Sequence, residues 1–164
     1  MGAAGAVALV EELAGRGLSV ATAESLTGGL LCSALVDVPG ASAVVRGGVV
    51  AYAAEVKERV LGVPGSLIER VGTVDAQVAR AMAEGVRARL GADLGLSTTG
   101  NAGPEPSEGK PVGRVHIAVA APAGTRDWEL DLVGDRGQIR RGAVDAVLSY
   151  ALATLAHEGH PHGG

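Results

Sequence analysis

Ser25, Tyr52 and Lys57 are the residues of this chain whose types could combine into a nucleophile and its base. A serine hydroxyl attacks poorly until a neighbour takes its proton. A lysine kept neutral by burial can do that, and a tyrosine hydroxyl can relay or orient the proton. Ser25 lies in Ala23-Glu24-Ser25-Leu26-Thr27-Gly28-Gly29. An apolar run, Leu18 to Thr22, precedes it and reads as a buried strand; Leu30 to Leu35 follows and reads as a helix. Backbone N–H groups are free at a helix start, where the dipole favours negative charge, and glycine lets a ligand approach the backbone closely. Such a turn can cradle a phosphate or present a serine beside an oxyanion hole. It lacks the lysine of a P-loop and the spacing of a GxSxG elbow. The plainer alternative is that Gly28 and Gly29 serve tight packing. Lys57 alone reads as a solvated surface cation and gains meaning only if it approaches Ser25.

Two further stretches could hold an anion. Thr98-Thr99-Gly100-Asn101-Ala102-Gly103 offers hydroxyls and backbone N–H groups. Arg136 and Arg140 lie four apart at a helix start, so one face could offer both guanidiniums. The alternatives are an exposed helix face for Arg140 and a salt bridge to Asp135 or Glu129 for Arg136. His157, His160 and His162 cluster near the C-terminus without a visible second shell, which reads as a solvated tail rather than a metal site. His116 reads as a sheet-face residue, Trp128 as a packing residue and Cys32 as a small buried hydrophobe.

The elements that must position these residues follow from hydrophobic periodicity. Val7, Val10 and Leu13 mark a helix over 6–14, ended by Gly15 and Gly17. A β-rich stretch predicts a strand over about 45–52, with Gly47-Gly48 allowing a bulge or a close approach. A short helix over 54–61 carries Lys57, and Pro64 opens another through Arg70. Asp75 reads as the N-cap of a long amphipathic helix closed by Gly91. A strand over 94–99 enters the second glycine-rich loop, and 105–110 should be exposed and mobile. Strands over 113–121 and 126–133, joined by Pro122-Ala123-Gly124-Thr125, predict a hairpin. A helix over 138–155 ends the domain. Interleaved helices and strands followed by a hairpin predict an α/β fold: a three-layer α/β/α sandwich with a mixed sheet, parallel at first and antiparallel at the C-terminal hairpin.

Composition narrows the function classes. The 164 residues suggest one domain, over 1–156, with a disordered tail over 157–164. Only 2% of residues are aromatic, there is no Phe, and 26 are Gly, so the core must be built from Ala, Val and Leu. A net charge of −4 without a basic block argues against nucleic-acid binding. One cysteine allows neither an internal disulfide nor a cysteine zinc cluster. No signal peptide is evident, and no apolar run reaches the ~18 residues of a membrane span. A cytoplasmic protein without a membrane partner is the expectation.

Taken together, four motifs in order resemble the CinA C-terminal domain family, the nicotinamide-nucleotide amidohydrolases, over roughly 7–155. They are Ala23-Glu24-Ser25-Leu26-Thr27-Gly28-Gly29; Gly47 to Tyr52 with Glu55 and Lys57; Thr99-Gly100-Asn101-Ala102-Gly103-Pro104 with Lys110-Pro111-Val112-Gly113; and Gly134-Asp135-Arg136 with Arg140. The chain departs from the family pattern at Ala53-Ala54, where the family has Ser-Asn, at Pro106-Ser107, where it has Gly-Gly, and at Leu26, where it has Cys. The resemblance implies cofactor-free, metal-independent hydrolysis of the amide of nicotinamide mononucleotide to nicotinate mononucleotide and ammonia. It implies Ser25 as nucleophile, Lys57 as general base and Tyr52 assisting. Backbone N–H groups around Thr27, Gly28 and Gly29 would stabilise the oxyanion. Thr99 and Gly100, with Arg136 or Arg140, would hold phosphate and ribose. It also implies a homo-oligomer and the stand-alone form of a domain that many relatives carry behind a larger one. The second reading is a nucleotide-binding or regulatory domain without turnover; a metal-dependent hydrolase using the histidine tail is a distant third.

Overall fold

A computed structural model describes residues 2–158. Its elements are α1 Gly2–Arg16, β1 Val20–Glu24, α2 Leu30–Val36, a 3-10 turn Ala41–Ala43, β2 Val45–Val50, α3 Ala54–Leu61, α4 Gly65–Val71, α5 Ala76–Leu90, β3 Leu94–Gly100, β4 Arg114–Ala121, β5 Gly124–Asp131 and α6 Arg136–Glu158. The five strands form one sheet in the order β2-β1-β3-β4-β5. β1 runs parallel to both β2 and β3, while β3–β4 and β4–β5 are antiparallel. The expected mixed sheet is present.

The period-two alternation of the strands sorts the core into two layers. Val20, Leu94, Leu96, Val115, Ile117 and Val119 face α1, α2 and α6, whose Leu9, Leu13, Leu31, Leu35, Ile139, Val147 and Leu148 complete one cluster. Ala21 and Ala23 face the other way, toward Leu61 of α3, Leu67 of α4 and Val78, Met82 and Val86 of α5. α5 also lays Ala79 and Ala83 on Ala118 and Ala120 of β4. That helix lies unusually close to the sheet. A β-carbon at Gly95 would collide with the Ala83 carbonyl oxygen, and the Ser97 hydroxyl donates to the Ala79 carbonyl at 2.6 Å. Ala79, Ala83, Gly95, Ala118 and Ala120 are the small residues that line this helix–sheet contact.

Several boundaries differ from the sequence expectation for local reasons. β1 covers 20–24 rather than 18–22, because Ser19 is held outside it by Asp93, whose carboxylate accepts from the Ser19 amide at 2.8 Å. The shift makes Ser25 the first residue after the strand. β2 stops at Val50, so Tyr52 lies in the loop before α3. The β4–β5 hairpin turns on Pro122-Ala123, since Ala121 already pairs with Gly124. α6 starts at Arg136 rather than Gln138. The Asp135 carboxylate accepts from the Gln138 amide and the Gln138 side chain accepts from the Asp135 amide, each at 2.8 Å, a reciprocal cap. α6 runs through His157 and Glu158; His160 and His162 lie outside the described residues. The 105–110 loop is largely exposed as expected, yet it is anchored. Glu108 accepts from the Thr73 amide at 2.7 Å and from its hydroxyl at 2.6 Å.

His116 is buried in β4, and Trp128 of β5 stacks on Tyr150 of α6 with ring centroids 4.3 Å apart. Cys32 is half-buried rather than buried, because it lies on α2 at the open flank beside Gly48 of edge strand β2. Among the described residues no helix is long and apolar enough to cross a membrane.

Candidate active site

The chain leaves β1 toward β2 on one side and later returns to β3 on the other. In an open α/β sheet that reversal opens a crevice at the carboxyl ends of the strands. Ser25 follows β1, Ala51 and Tyr52 follow β2, and Asn101 and Ala102 follow β3. A cleft of about 190 Å³ lies here, lined among others by Ser25, Tyr52, Thr73, Gly100, Asn101 and Arg136.

Lys57 is 1% exposed and points from the inner face of α3 into this crevice. Its Nζ donates to Ser25 Oγ at 2.8 Å, to the Ala51 carbonyl at 2.8 Å and to the Tyr52 carbonyl at 3.0 Å. Carbonyls only accept. When the amine is neutral its two N–H bonds therefore stay with Ala51 and Tyr52, and its lone pair is left facing the Ser25 hydroxyl. Loss of water around the ammonium pushes the Lys57 pKa down to about 8, against a smaller upward pull from the Glu108 carboxylate. The approach that the sequence left open is made.

Tyr52 meets Lys57 through its main chain rather than its hydroxyl. Its main-chain carbonyl holds Lys57, while its ring is 65% exposed and its hydroxyl accepts from Arg136 Nη2 at 3.3 Å. Arg136 also donates to the Gly103 carbonyl. Neither the salt bridge to Asp135 nor that to Glu129 forms, so this guanidinium at the cleft meets only neutral acceptors among the described residues. Arg140, one turn further along α6, turns away from the cleft. Its Nε donates to the Leu26 carbonyl at 2.8 Å and its Nη2 to the Thr27 carbonyl at 3.3 Å. The two arginines do not present one joint face to an anion.

The turn after Ser25 is fixed by groups that sequence reasoning did not single out. Glu24 is 1% exposed, and its carboxylate accepts from the Thr27 hydroxyl at 2.6 Å, the Leu31 amide at 2.7 Å and the Cys32 amide at 3.1 Å. A buried carboxyl group needs such donors in place of water. The signal was present in the sequence: an acid between an apolar strand and a glycine pair must find partners in the following turn. The Thr98 carbonyl accepts from the Ser25 amide at 3.0 Å, and the Thr98 and Thr27 hydroxyls share a hydrogen bond at 2.8 Å.

The expected oxyanion donors divide. Gly28, at φ 57°, donates to the Ser25 carbonyl at 3.1 Å and is occupied. Among the described residues no acceptor meets the amides of Leu26, Thr27 or Gly29. The side chain of Thr99 is also spent, because its hydroxyl donates to the Thr73 carbonyl at 2.7 Å. Gly100 lines the cleft, and a side chain there would press on the Arg114 carbonyl and on Val115. Asn101 folds the next loop, accepting from the Gly103 amide and donating to the Glu105 carbonyl.

The family model for the CinA C-terminal domain matches residues 3–155. A CinA-like protein of Frankia casuarinae is 53% identical over 141 residues, covering 86% of this chain and 33% of that protein. The chain spans about a third of the length of the curated relatives it matches. The competence/damage inducible protein CihA from Agrobacterium tumefaciens is 37% identical, with a TM-score of 0.90 over 94% of this chain and 95% of that one. A CinA superfamily protein from Klebsiella pneumoniae superposes with a TM-score of 0.93 at 29% identity, over 96% of this chain and 99% of that one. On these matches, the chain belongs to the CinA C-terminal domain family.

Proposed function

We propose that this domain hydrolyses the amide of nicotinamide mononucleotide to nicotinate mononucleotide and ammonia through a Ser25–Lys57 pair. The observation that carries the proposal is the Lys57 amine, buried and hydrogen-bonded to two carbonyls and to Ser25 Oγ at 2.8 Å. A surface lysine has no reason to adopt that environment, because burying an ammonium is costly.

The neutral amine takes the Ser25 proton as Oγ attacks the amide carbon. The carbonyl electron pair moves to oxygen, for which the turn after Ser25 offers the acceptor-free amide of Leu26, a residue that lines the cleft. Lys57 then returns the proton to the departing nitrogen, and ammonia leaves an ester on Ser25. A water, deprotonated by the same lysine, attacks the ester and releases the carboxylate product and free Ser25. Arg136 supplies positive charge at the cleft for the substrate phosphate; it has only a carbonyl and a phenol to give up.

The Ala53-Ala54 departure leaves this machinery untouched, because Lys57 is held by main-chain carbonyls. Its local effect is on α3, where Ala53 sits at the N-cap with no side-chain hydrogen bond. The test is ammonia release from nicotinamide mononucleotide by the purified protein without added metal. Ser25→Ala should lower the rate by several orders of magnitude. Tight mononucleotide binding without ammonia release, in a folded sample, would instead establish a binding domain.

A further inference from the structure

Trp128, Tyr150 and Tyr52 are the aromatic residues of this chain. The first two stack on each other with ring centroids 4.3 Å apart. Tyr52 takes no part in that stack. Its ring is 65% exposed, and of the large apolar side chains left exposed among the described residues it is the one that lines the cleft. Its two ends are tied to the two halves of the site. The main-chain carbonyl accepts from Lys57 Nζ at 3.0 Å, and the hydroxyl accepts from Arg136 Nη2 at 3.3 Å. The phenol ring therefore spans the path from the Ser25–Lys57 pair to the guanidinium.

Nicotinamide mononucleotide carries its groups in the matching order. The carboxamide is bonded directly to a pyridinium ring, and the ribose separates that ring from the phosphate. With the amide carbon at Ser25 and the phosphate at Arg136, the pyridinium falls beside Tyr52. Its ring nitrogen is cationic and carries no hydrogen, so it gives the cleft no donor to bind. A carboxylate or the face of an aromatic ring can attract such a cation. Among the described residues no Asp or Glu lines the cleft, and the nearby Glu108 carboxylate is spent on Thr73. The other apolar residues there, Leu26, Val74 and Ala102, have no π face.

We propose that Tyr52 is the residue by which the cleft selects a charged ring: the face of its phenol receives the pyridinium cation, favouring the oxidised mononucleotide over its neutral dihydro form. The inference rests on the mononucleotide reading above and adds which part of that substrate Tyr52 meets. The pyridinium keeps its charge from ground state to transition state, so the contact belongs to binding rather than to the chemical step.

The experiment compares the wild type with Tyr52→Leu and Tyr52→Phe. Both keep the main-chain carbonyl that Lys57 uses, and the position is exposed. The substrates are the mononucleotide and nicotinamide riboside, which keeps the cation and lacks the phosphate. The reduced mononucleotide, whose dihydropyridine ring is neutral, serves as a competitive inhibitor. Tyr52→Leu should raise KM for both substrates alike, by about 3- to 30-fold, with kcat within about threefold of the wild type. Its Ki for the reduced form should move by less than about twofold, so the preference for the cation narrows. Tyr52→Phe keeps a ring face while giving up the contact with Arg136, and should recover most of the KM lost in Tyr52→Leu. An unchanged KM in Tyr52→Leu, or an equal loss of the charged and neutral forms, would overturn the proposal. So would a fall in kcat of about 100-fold or more in Tyr52→Phe, which would make the hydroxyl a participant in proton transfer. If the wild type releases ammonia from neither substrate, the amidase reading fails by itself. The ring preference is then read from dissociation constants by calorimetry. Wild-type protein that binds the oxidised and reduced mononucleotides equally, or binds neither, would sink the inference.

Discussion

The protonation of Lys57 can be followed through pH. The working base is the neutral amine. With the pKa lowered from 10.5 to about 8, roughly a tenth of the molecules carry it at pH 7, against roughly one in three thousand without the shift. Burial therefore raises the population of base about 300-fold at neutral pH, equivalent to about 3 kcal/mol. Ammonia release, measured as kcat/KM from pH 6 to 10, should climb about tenfold per pH unit and level off above about 8. The same shift has a stability counterpart. The unfolded chain holds this proton up to about pH 10.5 and the folded chain only up to about 8, so the unfolded state binds more protons in between. The penalty for burying Lys57 is full below about pH 8 and is relieved as pH rises toward 10.5. Denaturant midpoints of the wild type, taken relative to Lys57→Met, should therefore improve between pH 7 and 10. A flat activity profile, or an ascending limb centred near the ordinary lysine value, would refute the assignment of Lys57 as a buried base.

Other substitutions probe the surrounding groups. Glu108→Gln removes the carboxylate whose charge holds the Lys57 pKa up, so the ascending limb should move to lower pH; an upward move would contradict the electrostatics. Arg136→Gln should raise KM for the mononucleotide at least about tenfold while leaving the riboside nearly unaffected, as expected for a lost phosphate contact. Ala53→Ser restores a side-chain cap to α3 and should add about 1 kcal/mol in chemical denaturation. Gly95→Ala drives a methyl into the Ala83 carbonyl and should cost at least about 1–3 kcal/mol, read as a lower midpoint at unchanged slope.

Much of the fold was legible because periodicity records which faces are buried. Val115, Ile117 and Val119 alternate with Ala118 and Ala120, and that alternation marks both strand and layer. Asp75 at the head of α5 was readable as a cap, and its side chain does accept from the Gln77 amide at 2.8 Å. The Asp135–Gln138 cap of α6 was equally local but was obscured by the neighbouring glycines. Strand ends were harder, since Ser19 and Asp93 meet across 74 positions of the chain and no local pattern reports that contact.

The sequence by itself determined the residue types and their order: a serine in a glycine-rich turn, a tyrosine and lysine after the next strand, and arginines at the head of the last helix. Tertiary structure decided what each of them faces. Val56, Val60 and Leu61 left the inner side of α3 ambiguous, and only packing against α5 turned Lys57 inward toward Ser25 while Val60 stayed exposed. Arg136 and Arg140 look equivalent on a helical wheel, yet one meets the cleft and the other the Ser25 turn. The physical reason is range. Helix and strand formation are governed by neighbours a few positions apart, whereas the burial that lowers a lysine pKa and the carbonyls that claim a guanidinium come from segments brought together only by the completed sheet.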